Sequence, residues 1–344
     1  MASSSSASRA QDFINKVDGP STAKAYGSYA ELVADPNVDC IYVATPHSHH
    51  FQNAMLALQA GKNVLCEKSL TVNAAQTKKL IQVAKEKKLF FMEAVWTRYF
   101  PLSIKIREMI QDGEIGQVVR VVADLSFSEV TEDGKLSFPN TNRMVNMDLA
   151  GGALLDLGIY SLTWVFQALY TTQKEPKEAP IVVAAINKYA ETGADETTSI
   201  ICQFPKHRSM GIALTGIRAG PISEARSITI SGTKGEIQID GPAYRPECYR
   251  VIQRAEPTKI ETVKCIYPTD KDRKGWGHGM YWEADEVARC LRDGKKQSES
   301  MSWEESTVIM ETMDEVRRQG GLRYPDLIES SEFDAQHPLN LGRS

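Results

Sequence analysis

Three segments of the chain place polar or ionisable side chains directly after apolar, β-branched runs. In an open parallel sheet the space beyond the carboxyl ends of the strands is where ligands bind. The first segment, Thr45-Pro46-His47-Ser48-His49-His50, follows VDCIYVAT at 38–45. Read by itself it is a loop and helix start, with Ser48 as the cap and solvated histidines. A metal site is disfavoured, because adjacent histidines lack the i,i+4 spacing of a helical ligand pair and no acid or cysteine stands near them in sequence. The second, Glu67-Lys68-Ser69, follows NVLC. It is either a surface ion pair or a lysine that reaches a ligand, its pKa drawn toward the general acid/base range by partial desolvation. The third is NMDLAGGALLDLGIYSLTWVFQALY, residues 146–170. Gly151 and Gly152 let the backbone approach a ligand closely, and Asp156 and Tyr160 stand at i,i+4, so a helix places both on one face. Most other positions are apolar, which puts the acid in a pocket wall or the interior; the competing reading is a helix cap and a core tyrosine.

Elements must hold these residues. The run at 38–45 shows little alternation, as a strand buried on both faces does. Residues 53–60 have helical spacing closed by Gly61. Residues 62–66 repeat the strand signal, 73–88 read as a helix ending in lysines that complement its negative end, and 89–96 are a third strand. This alternation means parallel βαβ units with right-handed crossovers. Past Pro101 the character changes. A helix over 101–112 ends near Gly113, and β-rich segments follow at 117–127, 181–190, 195–204, 209–217, 226–231, 235–240 and 247–253. SITIS and GEIQID alternate and are joined by GTKG, a hairpin signal. Helices are expected at 152–169, 280–293 and 303–319, the first and last amphipathic. The expected fold is an α/β, Rossmann-like doubly wound parallel sheet, incomplete at its N-terminal side, plus an α+β domain with a large, mainly antiparallel open sheet. The expected division is a partial dinucleotide-binding domain at 1–100, a substrate-binding and oligomerisation domain at 101–330, and a tail at 331–344. The serine run at 3–6 and the chain after about 325 are expected to be loosely ordered.

A length of 344 residues suits about two domains. Lys plus Arg total 40 against 44 Asp plus Glu, a net charge of −4, so no global basic field exists to hold nucleic acid or an anionic membrane. The six cysteines are scattered, without a C-x-x-C pair, and several sit in apolar runs, so reduced thiols are expected. The polar start MASSSSASRA lacks the apolar core of a signal peptide, and no run of about 18 apolar residues is read. The expected compartment is the cytoplasm.

Taken together, in order and spacing, the three segments resemble the glucose–fructose oxidoreductase/inositol dehydrogenase (Gfo/Idh/MocA) superfamily of NAD(P)-dependent oxidoreductases. The motifs are TPxxxH after a strand, EK further on, and GGxxxDxGxY in the second half. EAVWTRYFP at 93–101, SGTKGEI and GHGMYWEADEVARCLRDGK narrow the resemblance to the branch of dimeric dihydrodiol dehydrogenase and fungal NADP-dependent D-xylose 1-dehydrogenase. The resemblance implies that Thr45, Pro46 and His50 line the nicotinamide half of the dinucleotide and that Glu67 contacts the nicotinamide ribose region. Lys68 would touch the hydroxyl that loses its proton as hydride leaves, and Asp156 would orient substrate hydroxyls. Tyr160, standing where many relatives carry histidine, would be the acid/base, its phenolate favoured by the Lys68 ammonium. Trp96, Arg98 and Phe127 are expected substrate walls. The implied activity is NADP-dependent oxidation of a pentose such as D-xylose at its anomeric hydroxyl. The alternatives are oxidation of a trans-dihydrodiol and a non-catalytic binding protein derived from such an enzyme.

Two departures accompany the resemblance. Ser69 stands where the family usually has proline, which would relax the backbone presenting Lys68. No G-x-G-x-x-G precedes Thr45, and the chain starts where the family's second strand would be ending. The expectation is therefore a shortened form of a longer enzyme, with weak or no NADP binding and reduced stability. The loop at the start would meet an adenosine 2′-phosphate, and Ser3, Ser4 and Arg9 suit that group, favouring NADP over NAD. Finally, PIVVAAINKYA and TSIICQF carry apolar residues on both alternating faces, more than one helix layer covers, so a homodimer through the open sheet is expected.

Overall fold

In the computed structural model, which describes residues 6–222, 226–268 and 278–341, two short helices lead into the alternation read from the sequence. They are α1 (Ala7–Lys16) and α2 (Tyr29–Ala34), capped by the Ser6 and Ser28 hydroxyls. Strands β1 (Cys40–Val43), β2 (Asn63–Glu67) and β3 (Phe91–Ala94) form a parallel sheet in that order, with α3 (His47–Gln59) and α4 (Ala74–Lys87) as crossovers. Val43 pairs with Cys66 and Glu67 with Ala94, so the carboxyl ends lie side by side. Ile41, Val43, Val64, Cys66 and Phe91 bury one sheet face against Phe51, Met55, Leu58, Leu80 and Ala84 of the two helices. Helix α3 begins at His47, earlier than its apolar spacing indicates, and Pro46 occupies the N-cap without a side-chain cap.

After β3 a 3₁₀ turn, Trp96–Tyr99, leads to α5 (Pro101–Gln111), whose proline sits in the first turn, where its missing N–H costs nothing. The second sheet has eight strands: β4 (Val118–Ser126), β5 (Ile181–Lys188), β6 (Asp195–Phe204), β7 (Ser209–Gly216), β8 (Ile228–Gly232), β9 (Gly235–Ile239), β10 (Cys248–Gln253) and β11 (Ile260–Lys264). Their order is β11-β10-β9-β8-β4-β7-β6-β5, antiparallel throughout except for β4 beside β7. One face is covered by α6 (Ile159–Leu169), preceded by the π-helical turn Leu154–Gly158. Every residue of α6 is buried, so it is a core helix and not the amphipathic one expected: β4 and β7 lie on one side, α5 and the 3₁₀ turn on the other. Met147–Leu169 is the one helical stretch among the described residues that is long and apolar enough to cross a membrane, and 94% of its apolar window lies inside the protein. Gly211 in β7 lets α6 settle onto the sheet, since a Cβ there would stand 2.2 Å from Val165 Cγ1.

Helices α7 (Tyr281–Arg292), α8 (Trp303–Gly320) and α9 (Asp326–Glu329) return the chain to the first sheet. Helix α8 packs between β5 and α4, and Trp303 and Phe333 complete the core under α3 and α4. The last described residues are docked and not loose. Gln52 Nε2 donates to Glu332 O at 2.7 Å, and Asn53 Nδ2 donates to Leu339 O at 3.0 Å and Asn340 Oδ1 at 2.9 Å. Amides buried on α3 require acceptors, and the tail supplies them. All six cysteines are free.

Candidate active site

Lys68 leaves β2 at the carboxyl edge of the parallel sheet and meets the π-helical turn that precedes α6. Its Nζ donates to the backbone oxygen of Asp156 at 2.7 Å and to Asp156 Oδ1 at 3.0 Å, and lies 5.0 Å from the centroid of the Tyr160 ring. The Tyr160 hydroxyl accepts a hydrogen bond from Trp96 Nε1 at 2.6 Å. Tyr244, in the turn after β9, stacks on Trp96 with ring centroids 5.9 Å apart and leans on Tyr160 at 5.8 Å. Asp156 Oδ1 also accepts from Arg143 at 3.0 Å and lies 3.9 Å from His47 Nε2. No protein partner among the described residues bonds Oδ2, which leaves one carboxylate oxygen for a ligand hydroxyl. The turn holding Asp156 is itself fixed by Asp195, whose Oδ2 accepts the Leu154 N–H at 2.7 Å and the Thr198 hydroxyl at 2.9 Å.

Burial alone would raise the Asp156 carboxyl, but the Lys68 ammonium, helped by His47 and Arg143, outweighs it and holds the group well below the usual carboxylate range. Burial pushes His47 down to about 3, so its contact with Asp156 at neutral pH is that of a neutral imidazole. Tyr160 departs from expectation. Burial pushes its phenol well above the ordinary value, against the opposing Trp96 N–H, and Glu67 and Asp156 add to the rise. The Lys68 ammonium lies over the ring face and directs two of its three N–H groups to Asp156, so it makes no hydrogen bond to the phenol oxygen.

The remaining expected site residues divide. Thr45 and Pro46 stand at the mouth beyond β1, the Thr45 hydroxyl donating to Asn53 Oδ1 at 2.9 Å. Glu67 accepts from the Tyr42 hydroxyl and, through Oε2, from the Lys68 N–H. His50 is 1% exposed, its Nδ1 meeting Ser69 O at 2.9 Å and its Nε2 meeting Thr45 O at 2.8 Å, so both ring nitrogens are engaged in a strut between the ends of β1 and β2. All the histidines of the first segment are buried, so the reading of a solvated helix start does not hold. Ser69 does not relax the Lys68 turn; it is buried, and its hydroxyl donates to Leu155 O at 2.8 Å. Arg98 is no substrate wall, being fully buried and committed to Glu305, Ser300 O and Thr171. Phe127 is half-buried and lines a small concavity with Pro242 and Ala243, beside the turn that presents Tyr244. Arg9 lies exposed in the first turn of α1, its N–H accepted by Ser6; Ser3 and Ser4 fall outside the described residues.

Sequence reasoning missed Tyr244, Arg143 and Glu283. Tyr244 and Arg143 sit in loops without periodicity, and only Tyr244's place in an aromatic-bearing turn hints at a wall. Glu283 on α7 is 2% exposed with Oε2 lacking any hydrogen-bond partner among the described residues, and burial with Glu67 nearby pushes its carboxyl well above the usual value.

Residues 1–95 match the family profile described as GFO_IDH_MocA, oxidoreductase family with an NAD-binding Rossmann fold, and residues 103–238 match the GFO/IDH/MocA C-terminal domain. A D-xylose 1-dehydrogenase (NADP(+)) from Hypocrea jecorina is 61% identical over 347 residues, covering 99% of this chain and 88% of that protein. The trans-1,2-dihydrobenzene-1,2-diol dehydrogenase of Homo sapiens is 35% identical, covering 92% of this chain and 87% of its own. Among solved structures, a levoglucosan dehydrogenase in complex with NADH and levoglucosan superposes with a TM-score of 0.77 at 17% identity, over 93% of this chain and 87% of that one. An aldose-aldose oxidoreductase from Caulobacter crescentus gives 0.74 at 20% identity, over 93% and 88%. At such identities these two likenesses speak for the fold alone.

Proposed function

The chain belongs to the GFO/IDH/MocA family of oxidoreductases, and from that premise we propose that it oxidises D-xylose at the anomeric hydroxyl with NADP as the hydride acceptor. The observation that carries the reading is the Lys68 ammonium held between Asp156 and the face of Tyr160 at the carboxyl edge of the parallel sheet. The donor set there fits the nicotinamide half of a dinucleotide: Thr45 and Pro46 at the uncapped start of α3, and the Glu67 carboxylate as an acceptor for ribose hydroxyls. NADP, when bound, supplies the carbon that takes the hydride. The protein's own groups orient the sugar and handle its proton. Asp156 is ionised and offers Oδ2 to a sugar hydroxyl. Lys68 is the cation available to the negative charge that develops on the reacting oxygen. Trp96 fills one lone-pair direction of the Tyr160 oxygen, which leaves the phenol free to exchange a proton with the anomeric oxygen. The half-buried Tyr244, backed by the buried Trp96 stacked on it, offers the flat aromatic face on which a pyranose ring stacks.

The same aromatic pair would also take a flat trans-dihydrodiol, which is the second reading. The test is a panel of D-xylose, other pentoses and a trans-dihydrodiol with NADP and NAD, read at the nicotinamide absorbance. D-Xylose with NADP is expected to give the highest kcat/KM. A faster diol would promote the second reading, and inertness toward every combination would sink both in favour of a binding protein. The working form proposed is a homodimer in the cytoplasm. The open face of the second sheet supports it, exposing Ile181, Val183, Ile201 and Met210 side by side on β5, β6 and β7.

A further inference from the structure

The turn that carries Lys68 is fixed from three sides, and one anchor is a carboxyl with no part in the chemistry described above. His50 holds the Ser69 carbonyl, the Ser69 hydroxyl holds Leu155 O, and the Leu70 N–H donates to Glu93 Oε1 at 3.0 Å. Glu93, at the end of β3, is 2% exposed, and its other oxygen accepts from the Ser306 hydroxyl of α8 at 2.8 Å. The guanidinium that faces it, Arg98, is bound to Glu305 instead. Burial pushes the Glu93 carboxyl up to about 7. A buried carboxyl without an ion pair of its own is costly, and an apolar side chain of equal volume would fill the same space at less cost. Its contribution must be sought in what it holds.

We infer that Glu93 is a positioning residue for the proposed reaction: it ties the Leu70 N–H to Ser306 of α8 and so fixes the turn from which Lys68 reaches both Asp156 and the Tyr160 ring. Lys68 is two residues from the tethered N–H, and its bonds to Asp156 are 2.7 and 3.0 Å long. A shift of about 1 Å in that turn takes them out of hydrogen-bonding range. Both Glu93 oxygens are engaged by the protein and the side chain is buried, so its effect on the reaction passes through the turn that carries Lys68.

This inference rests on the proposed function for its kinetic arm, and a second readout is independent of activity. Glu93→Gln keeps an acceptor for Leu70, and the amide can face Ser306 because a hydroxyl both donates and accepts. Glu93→Asp keeps the charge but is too short to span Leu70 and Ser306. Glu93→Leu keeps the volume and removes the acceptor. Lys68 acylation by acetic anhydride, quantified by peptide mass spectrometry against the exposed Lys259, reports how firmly the ammonium is held on Asp156. Relative to wild type, the Asp and Leu variants should label Lys68 about fivefold faster or more and lose about tenfold in kcat at unchanged KM for NADP, with the Gln variant within about twofold on both. If the Leu variant does not fold, the Asp and Gln pair decides alone. Equal Lys68 labelling in all variants overturns the inference. A wild-type protein that turns over no substrate yet shows the expected labelling pattern removes the proposed reaction and leaves the positioning role standing.

Discussion

An ammonium that touches a carboxylate and the π-face of a phenol at once links hydroxyl orientation to proton exchange. Lys68→Met and Tyr160→Phe should each lower kcat by about 10²-fold or more while the circular dichroism spectrum stays that of the folded wild type. Turnover near the wild-type rate in both would remove them from the chemistry. Asp156→Asn should act differently, raising KM for the sugar as well as lowering kcat, because Oδ2 is the oxygen left open to a hydroxyl. The phenol adds a pH signature. Its ordinary value is already alkaline and burial raises it further, so the proton-accepting form is scarce at neutral pH. Sugar oxidation should therefore accelerate steadily from pH 7 to pH 9 in wild type and lose that slope in Tyr160→Phe. A flat profile would assign the proton to another group.

Elements explain which of these residues could be read in advance. Lys68 was legible because a charge leaving an apolar strand falls at a sheet edge. Asp156 and Tyr160 were legible as an i,i+4 pair, although the turn between them is π-helical and not a continuous α-helix. Arg98 misled because its partner Glu305 lies 207 residues away, and no local pattern announces such a pairing. The first-segment histidines misled for the same reason, since the chain that helps to bury α3 arrives from residues 332–340. Helix α1 carries Ala10, Phe13 and Ile14 at helical spacing but buries only Ala10 and Ile14, a short signal inside a polar start, and β11 is largely exposed and carries charges, with no apolar alternation. The π-helical turn yields its own prediction. Gly152 has φ +130°, and a Cβ there would stand 2.0 Å from Asp195 Oδ1, the carboxylate that holds Leu154. Gly152→Ala should cost about 3 kcal/mol in thermal unfolding and weaken sugar binding, since the displaced turn carries Asp156. An unchanged melting temperature would show that the turn adapts.

At the scale of the whole molecule, the open sheet face and the buried charges set association and pH tolerance. Val183 is 57% exposed opposite Ile201, and Val183→Asp should convert the proposed dimer to a monomer by light scattering at micromolar concentration, while a wild-type monomer there would end the dimer proposal. Burial pushes the Glu93 carboxyl up to about 7 in the folded protein against 4.5 in an ordinary setting, so the folded state binds this proton more tightly than the unfolded chain. Its contribution is complete below pH 4.5 and is lost as pH rises through 7, on the order of 3 kcal/mol. The buried histidines work in the opposite sense, having to gain protons on unfolding below their ordinary values. The measurement is therefore the stability of Glu93→Gln relative to wild type, which should grow across that window; a constant difference would contradict the assigned titration. The docking of the last residues onto α3 has a further consequence, for the order in which the molecule is made. Asn53 waits for a partner 286 residues later, which at ribosomal speed is roughly 15–60 s of synthesis. The sheet that emerges first is thus closed last, and the nascent chain holds open longest the part that is to meet the dinucleotide.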